Sequence, residues 1–176
     1  MYFGYNSSRL DPEVRTSSSA KLERDLVVRR VEDRALEFQG WRSSVHVQAS
    51  MVQRYDVGGH FEHHYDWVMT KNMTGNRAST FMIYLDGNCT GGGTNFPRLQ
   101  VPTDDKWCAF IDCDEPYVNG VTFKPIAGNA IFWENLHPNG SGHEDTWHAG
   151  LPVTSGSKTG LNIWSWLIYG LARREE

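Results

Sequence analysis

The sequence lacks an apolar run of the ~20 residues that a membrane-spanning helix needs, and it lacks a block of basic residues. The net charge at pH 7 is −4. We therefore expect neither a membrane span nor binding to the phosphates of nucleic acid. There is no evident internal repeat, and no secretory signal is visible at Met1.

What the sequence does contain is typical of a soluble globular domain. Its 176 residues predict one domain, 1–176, that buries a sizeable core. Apolar residues make up 39% of the chain and charged residues 22%. Seven Trp together with seventeen Gly are more typical of a β-rich protein with tight turns than of a helical bundle.

The hydrophobic pattern predicts one helix followed by short strands. Apolar residues recur at three- and four-residue steps over 20–38, with N-cap candidates in 15–19 and a stop signal at Gly40. The predicted strands are 44–53, 77–85, 121–124, 129–133, 148–153 and 161–169. Short strands at regular spacing after one helix predict an antiparallel sandwich or barrel.

The stretch 55–66 ends in a His-x-Asp pair, His64 and Asp66. If this stretch is extended, the two-residue period of a strand places both side chains on one face. One imidazole and one carboxylate are two thirds of a facial triad, which holds Fe(II) and leaves positions open, although Zn(II) accepts the same ligands. The best candidate for the third ligand is His148. The histidines that could compete on chemistry alone are His60, His63 and His143.

Three features that occur in one order carry a family resemblance. They are the spacing Tyr-x-x-Gly-x-x-Phe-x-x-His-x-Asp at 55–66, the segment Gly-Gly-Thr-Asn-Phe-Pro at 92–97, and His148 followed ten residues later by Lys158. Together they resemble the catalytic domain of the prolyl 4-hydroxylases, which are Fe(II)- and 2-oxoglutarate-dependent dioxygenases. The resemblance runs from about residue 15 to about residue 166, and the polar insertion at 98–120 looks like that of fungal members.

The resemblance implies a double-stranded β-helix, or jelly-roll barrel, braced by the N-terminal helix. It also implies that His64, Asp66 and His148 hold the iron, and that Lys158 meets the far carboxylate of 2-oxoglutarate.

Four further positions match family residues. Tyr55 and Thr94 match residues that bind 2-oxoglutarate through their hydroxyls, and Trp164 matches a tryptophan near the iron, with core packing as its alternative. Arg77 could contact the substrate backbone or pair with a surface carboxylate.

The activity that the resemblance implies is hydroxylation of prolyl residues at C4 in peptides or proteins. The reaction consumes O2 and 2-oxoglutarate and releases succinate and CO2, with ascorbate as the reductant. Two alternatives stay open. One is a 2-oxoglutarate oxygenase that hydroxylates another amino acid or a small molecule. The other is a catalytically inactive jelly-roll module that only binds peptides.

Two features predict the endoplasmic reticulum or secretory pathway, with the cytoplasm as the alternative. Cys108 and Cys113 are close enough in sequence for a disulfide. The chain also has four Asn-x-Ser/Thr sequons, at Asn6, Asn72, Asn88 and Asn139.

Overall fold

The computed structural model describes residues 11–40, 44–68 and 74–169. The sequons at Asn6 and Asn72 lie outside these residues. One α-helix, α1 (Leu26–Phe38), and thirteen strands occupy the described part. The strands are β1 (Arg15–Thr16), β2 (Ser18–Lys21), β3 (Val45–Val47), β4 (Met51–Tyr55), β5 (His60–His64), β6 (Gly75–Asp86), β7 (Cys89–Gly91), β8 (Thr94–Phe96), β9 (Val121–Phe123), β10 (Ala130–Glu134), β11 (His148–Gly150), β12 (Val153–Gly156) and β13 (Lys158–Ile168).

Two antiparallel sheets form the body of the fold. The larger has the order β10-β6-β13-β4-β2, with β3 also paired to β13, and the smaller has the order β1-β5-β11-β8-β9. Side chains of the two sheets meet in the interior. The rings of Phe96 and Trp133 lie 5.3 Å apart, and the Tyr84 hydroxyl donates to Thr94 Oγ1 at 2.7 Å. This is the facing-sheet arrangement expected of a jelly roll.

Helix α1 covers the outer face of the larger sheet, as predicted. Val31 and Ala35 pack against Leu161 and Ile163 of β13, and Ile163 is fully buried. Burial of one such side chain is worth about 1.5–3 kcal/mol. The helix therefore braces the long strand whose opposite face points into the fold.

The predicted start of the helix is wrong. Ser18–Lys21 is an edge strand that pairs with β4, so the backbone groups of residues 18–21 are hydrogen-bonded in a sheet ladder. The helix begins only at Leu26, where the Asp25 carboxylate accepts a hydrogen bond from the Val28 amide and acts as N-cap. The predicted end is confirmed, because Gly40 has φ +77° immediately after the C-cap Gln39.

The predicted strand 44–53 is divided in two. β3 and β4 pair with different parts of β13, and residues 48–50 cross between them without a ladder of their own. A hydrogen bond connects this break between the strands to the helix, because the Ser50 hydroxyl donates to Glu32 Oε1 at 3.0 Å. The predicted strand 148–153 is also divided, because β11 pairs with β5 and β8, whereas β12, which begins at Val153, pairs with β7. The predicted strands 77–85, 121–124, 129–133 and 161–169 are confirmed, with ends that shift by at most three residues.

The insertion at 98–120 contains two short 3₁₀ helices, Asp105–Ala109 and Tyr117–Asn119. Cys108 and Cys113 form a disulfide, with Cα atoms 5.4 Å apart. In the described part of the chain, no helix is long and apolar enough to span a membrane.

Candidate active site

Two neighbouring strands bring the three predicted metal ligands together. His64 is the last residue of β5, Asp66 follows two residues later, and His148 opens β11 directly opposite His64. Asp66 Oδ1 lies 3.8 Å from His64 Nε2, and Asp66 Oδ2 lies 3.9 Å from His148 Nε2. One ligand atom from each residue falls within 4.8 Å of the others, so the group could hold one metal ion. Asp66 lies beyond the strand, so the predicted strand periodicity does not itself place it.

Hydrogen bonds to the backbone orient both imidazoles. His64 Nδ1 lies 2.8 Å from Glu62 O, and His148 Nδ1 lies 2.8 Å from Thr146 O. A carbonyl oxygen only accepts, so Nδ1 carries the proton in each ring and Nε2 is left with a lone pair for a metal. Burial and repulsion by His148 lower the pKa of His64 to about 3, so this ring is neutral near pH 7.

Asp66 is buried, and its carboxylate is held in the ionised form. Burial by itself raises the pKa, but His148, Arg77 and His64 attract the negative charge, and Thr80 donates a hydrogen bond to Asp66 Oδ2 at 2.8 Å. The net result is a pKa below the ordinary value. Two imidazoles and one carboxylate form the ligand set that suits Fe(II), so the residues present fit this metal.

The predicted cosubstrate lysine, Lys158, is buried, with 1% of its surface exposed. Its Nζ donates to the Gly92 carbonyl and lies 4.8 Å from the centre of the Tyr55 ring. Burial lowers the pKa of Lys158 to about 8. Among the described residues, no carboxylate lies within ion-pair distance of Nζ. A buried ammonium without an acidic partner is costly, and it fits the carboxylate of a small anionic cosubstrate.

Two of the predicted cosubstrate residues lie on segments that contact Lys158. Tyr55 lies opposite Lys158 in the β4–β13 ladder, and Thr94 follows the Gly92 carbonyl on the same segment. Both side chains are buried. Trp164 shares the strand face of Lys158, and its buried indole Nε1 has no hydrogen-bond partner among the described residues. An unpaired buried donor is costly in a dry core and is satisfied by a polar ligand or water.

Arg77 pairs with the buried carboxylate of Asp66. Its Nη1 lies 3.7 Å from Asp66 Oδ1 and donates to the Asp66 carbonyl at 3.3 Å. Its guanidinium stacks on the Trp164 ring at 3.9 Å, and its Nε donates to Gln48 Oε1 at 3.0 Å. Arg77 thus connects the Asp66 carboxylate to the Trp164 ring. Contact with a substrate backbone stays a prediction.

The competing histidines are directed elsewhere. His63 Nε2 hydrogen-bonds to Asn95 Oδ1 at 3.1 Å, and His60 bonds to the carbonyls of Gly58 and Glu13. His143 stacks on His137 at 4.2 Å and is not part of the candidate metal group. Thr80 also contributes to the site and was not predicted from the sequence. The signal that could have indicated it is a small hydroxyl side chain, next to Ser79, within the buried run of β6.

Comparison with known proteins identifies the class to which this fold and site belong. The family model of the 2OG-Fe(II) oxygenase superfamily matches residues 50–166, which include all three candidate ligands and Lys158. The chain belongs to the 2OG-Fe(II) oxygenase superfamily, whose members use Fe(II), 2-oxoglutarate and O2.

Within this superfamily the chain is similar to prolyl 4-hydroxylases, as its motifs predict. It is 37% identical over 120 residues to the rat prolyl 4-hydroxylase subunit alpha-3, and this match covers 64% of this chain and 18% of the rat protein. A probable prolyl 4-hydroxylase 6 of Arabidopsis thaliana is 30% identical over 88% of this chain and 54% of its own length. The chain therefore spans less than two thirds of each of these relatives.

Solved structures agree on the fold. The viral collagen prolyl hydroxylase of Paramecium Bursaria Chlorella virus-1, in its 2-oxoglutarate complex, superposes with a TM-score of 0.71 at 25% identity. The match covers 91% of this chain and 83% of that chain. The prediction of a jelly-roll 2-oxoglutarate oxygenase is confirmed.

Proposed function

We propose that residues 1–176 form one catalytic domain that hydroxylates prolyl residues at C4 in peptides or proteins. The single observation that carries this proposal is the joint presence of a His-Asp-His group and a buried lysine that has no acidic partner among the described residues. A binding module needs neither. The similarity to prolyl 4-hydroxylases supports proline as the target.

In this proposal, His64, Asp66 and His148 bind Fe(II), and Lys158 binds the far carboxylate of 2-oxoglutarate with help from Tyr55 and Thr94. The bound iron, with 2-oxoglutarate and O2, supplies the oxidising power to place one oxygen atom on an unactivated carbon while 2-oxoglutarate becomes succinate and CO2. Trp164 and Arg77 close one side of the pocket and limit the access of water. Ascorbate serves as the reductant that keeps the iron ferrous.

A peptide substrate fits the surface beside the ligands. Arg98 Nη1 donates to the Tyr65 hydroxyl at 2.5 Å, and the Tyr65 and Trp147 rings lie 4.7 Å apart. Tyr65 and Trp147 each precede a candidate metal ligand in sequence. Aromatic surfaces of this kind bind extended proline-rich segments. We propose that this cluster receives the chain on one side of the target proline.

We also propose the endoplasmic reticulum or another part of the secretory pathway as the compartment. The Cys108–Cys113 disulfide supports it, because disulfides persist in oxidising compartments. The exposed sequon at Asn139 adds support.

The test has two stages. Fe(II) and then 2-oxoglutarate are added to metal-free protein without oxygen, and the visible charge-transfer band of the chelated cosubstrate is recorded. A proline-rich peptide and oxygen follow, with mass spectrometry to detect the gain of one oxygen atom on proline.

We expect both signals from the natural chain, neither from His148→Ala, and both from His63→Ala, which removes a neighbouring imidazole that faces away. A band without peptide oxidation would refute proline as the target and leave the oxygenase assignment intact. No band from folded protein would refute the site.

A further inference from the structure

We infer that Thr80 and Asn135 are positioning residues that fix the rotation of the Asp66 carboxylate and thereby set the affinity of the site for its metal. This inference rests on the proposed role of Asp66 as a ligand. Neither residue contacts the metal position in this scheme. They act through a chain of two hydrogen bonds, from the Asn135 amide to the Thr80 hydroxyl and from there to Asp66.

The chain is short and completely buried. Thr80 and Asn135 both have 0% of their surface exposed. Asn135 Nδ2 donates to Thr80 Oγ1 at 2.8 Å, and Thr80 Oγ1 donates to Asp66 Oδ2 at 2.8 Å. Hydrogen bonds of this length in a buried interior are strong, and a bond to an ionised acceptor is stronger still.

The chemistry of the three groups allows only one direction for the chain. An ionised carboxylate only accepts, so the single proton of the Thr80 hydroxyl goes to Asp66. The hydroxyl oxygen can then only accept, which requires the NH₂ of the Asn135 amide to face it. The two hydrogen bonds thus connect the Asp66 carboxylate to the Asn135 side chain, two bonds away.

The backbone of Asn135 is held independently. Its N–H donates to the Ala78 carbonyl at 2.7 Å, and its carbonyl accepts from the His143 amide at 2.8 Å. Its side-chain Oδ1, in contrast, is buried and accepts from none of the described residues. An apolar side chain would avoid this cost. The amide therefore contributes through the one bond it makes, the bond to Thr80.

Thr80 is suited to hold a fixed hydroxyl direction. It lies inside β6, and a β-branched side chain has restricted χ1 freedom. Because Thr80 donates to Asp66 Oδ2, the Asp66 carboxylate cannot rotate freely, and Asp66 Oδ1 stays 3.8 Å from His64 Nε2. Removing such a partner of a metal ligand typically lowers metal affinity by about 10- to 100-fold.

The test compares metal affinities of folded variants, with Co(II) as a spectroscopic substitute for Fe(II). We expect Thr80→Val, which keeps the shape and removes the hydroxyl, to weaken Co(II) binding by about 10- to 100-fold and to change the visible Co(II) spectrum. Asn135→Leu should weaken binding less, because Thr80 can still donate. Thr80→Ser should restore affinity to within about 3-fold of the natural chain, the remainder reflecting its freer rotamer.

Thr122→Val is the matched control. Thr122 is also buried and hydrogen-bonded on a strand, but its partners are Asn95 and Glu115, away from Asp66. The Thr122→Val variant should lose about as much thermal stability as Thr80→Val and keep the Co(II) affinity of the natural chain. Thr80→Val that binds Co(II) as tightly as the natural chain, with the same spectrum, overturns the inference. A natural chain that binds Co(II) but does not oxidise peptide refutes only the proposed function, and one that binds no metal refutes both.

Discussion

We predict that the buried ammonium of Lys158 lowers the stability of the protein without 2-oxoglutarate, and that the same ammonium is needed to bind 2-oxoglutarate. Burial lowers its pKa from 10.5 to about 8. At ~1.4 kcal/mol per pH unit, this difference corresponds to a penalty of about 3 kcal/mol when the side chain is protonated in the folded state. The perturbation is Lys158→Met, which keeps the length of the side chain and removes the charge.

The sign follows from proton linkage. Because the folded-state pKa is below the unfolded one, the unfolded chain binds more protons between pH 8 and 10.5. The penalty is complete below pH 8 and disappears as the pH rises to 10.5. The natural chain should therefore gain about 2 kcal/mol relative to Lys158→Met between pH 7 and pH 9.5. At pH 7 the variant should be more stable by about 1–2 kcal/mol, since the Gly92 carbonyl that loses its donor offsets part of the gain.

The assay is urea unfolding of metal-free protein at several pH values, with Lys106→Met as the control for loss of a lysine from the surface. Lys106 is 89% exposed in its side chain, so this variant should differ little in stability at pH 7. Calorimetry of 2-oxoglutarate binding to Mn(II)-loaded protein supplies the functional half. Lys158→Met should bind at least ~30-fold more weakly, about 2 kcal/mol. A stability difference that does not change with pH, or unchanged 2-oxoglutarate affinity, would refute the reasoning.

Three further outcomes are expected. His148→Ala should abolish Fe(II) binding measured by anaerobic titration, whereas His63→Ala should retain it. Loss of binding in both variants would contradict the conclusion that His148 faces the metal position and His63 faces away from it. Stability of the metal-free protein should fall as the pH drops from 6.5 toward 3, because the lowered pKa of His64 means that the unfolded chain takes up its proton first, and His64→Gln should reduce this dependence in acid unfolding. Reduction of Cys108–Cys113 should cost about 2 kcal/mol by the chain-entropy estimate, measured by urea unfolding with and without reductant; an unchanged midpoint would show that the insertion contributes no cooperative stability.

Tertiary structure decided where several sequence patterns end. The helical period continued back to residue 20, yet residues 18–21 form an edge strand, because the exposed edge of β4 is available for pairing. Local propensity cannot report such a partner, since the paired residues lie 30 to 36 positions apart in the sequence. The same limit applies to 44–53, where the two halves pair with different parts of β13.

The sequence by itself determined the chemistry: two imidazoles, one carboxylate and one lysine at spacings that predicted both the family and the fold. These are properties of residue type and order, which the one-dimensional pattern retains. Only the tertiary structure decided that Arg77 pairs with Asp66 and that Thr80 and Asn135 support the same carboxylate. The physical reason is that a buried charge needs hydrogen bonds or ion pairs from the polar groups that lie next to it. Strand pairing over long sequence separations decides which polar groups these are.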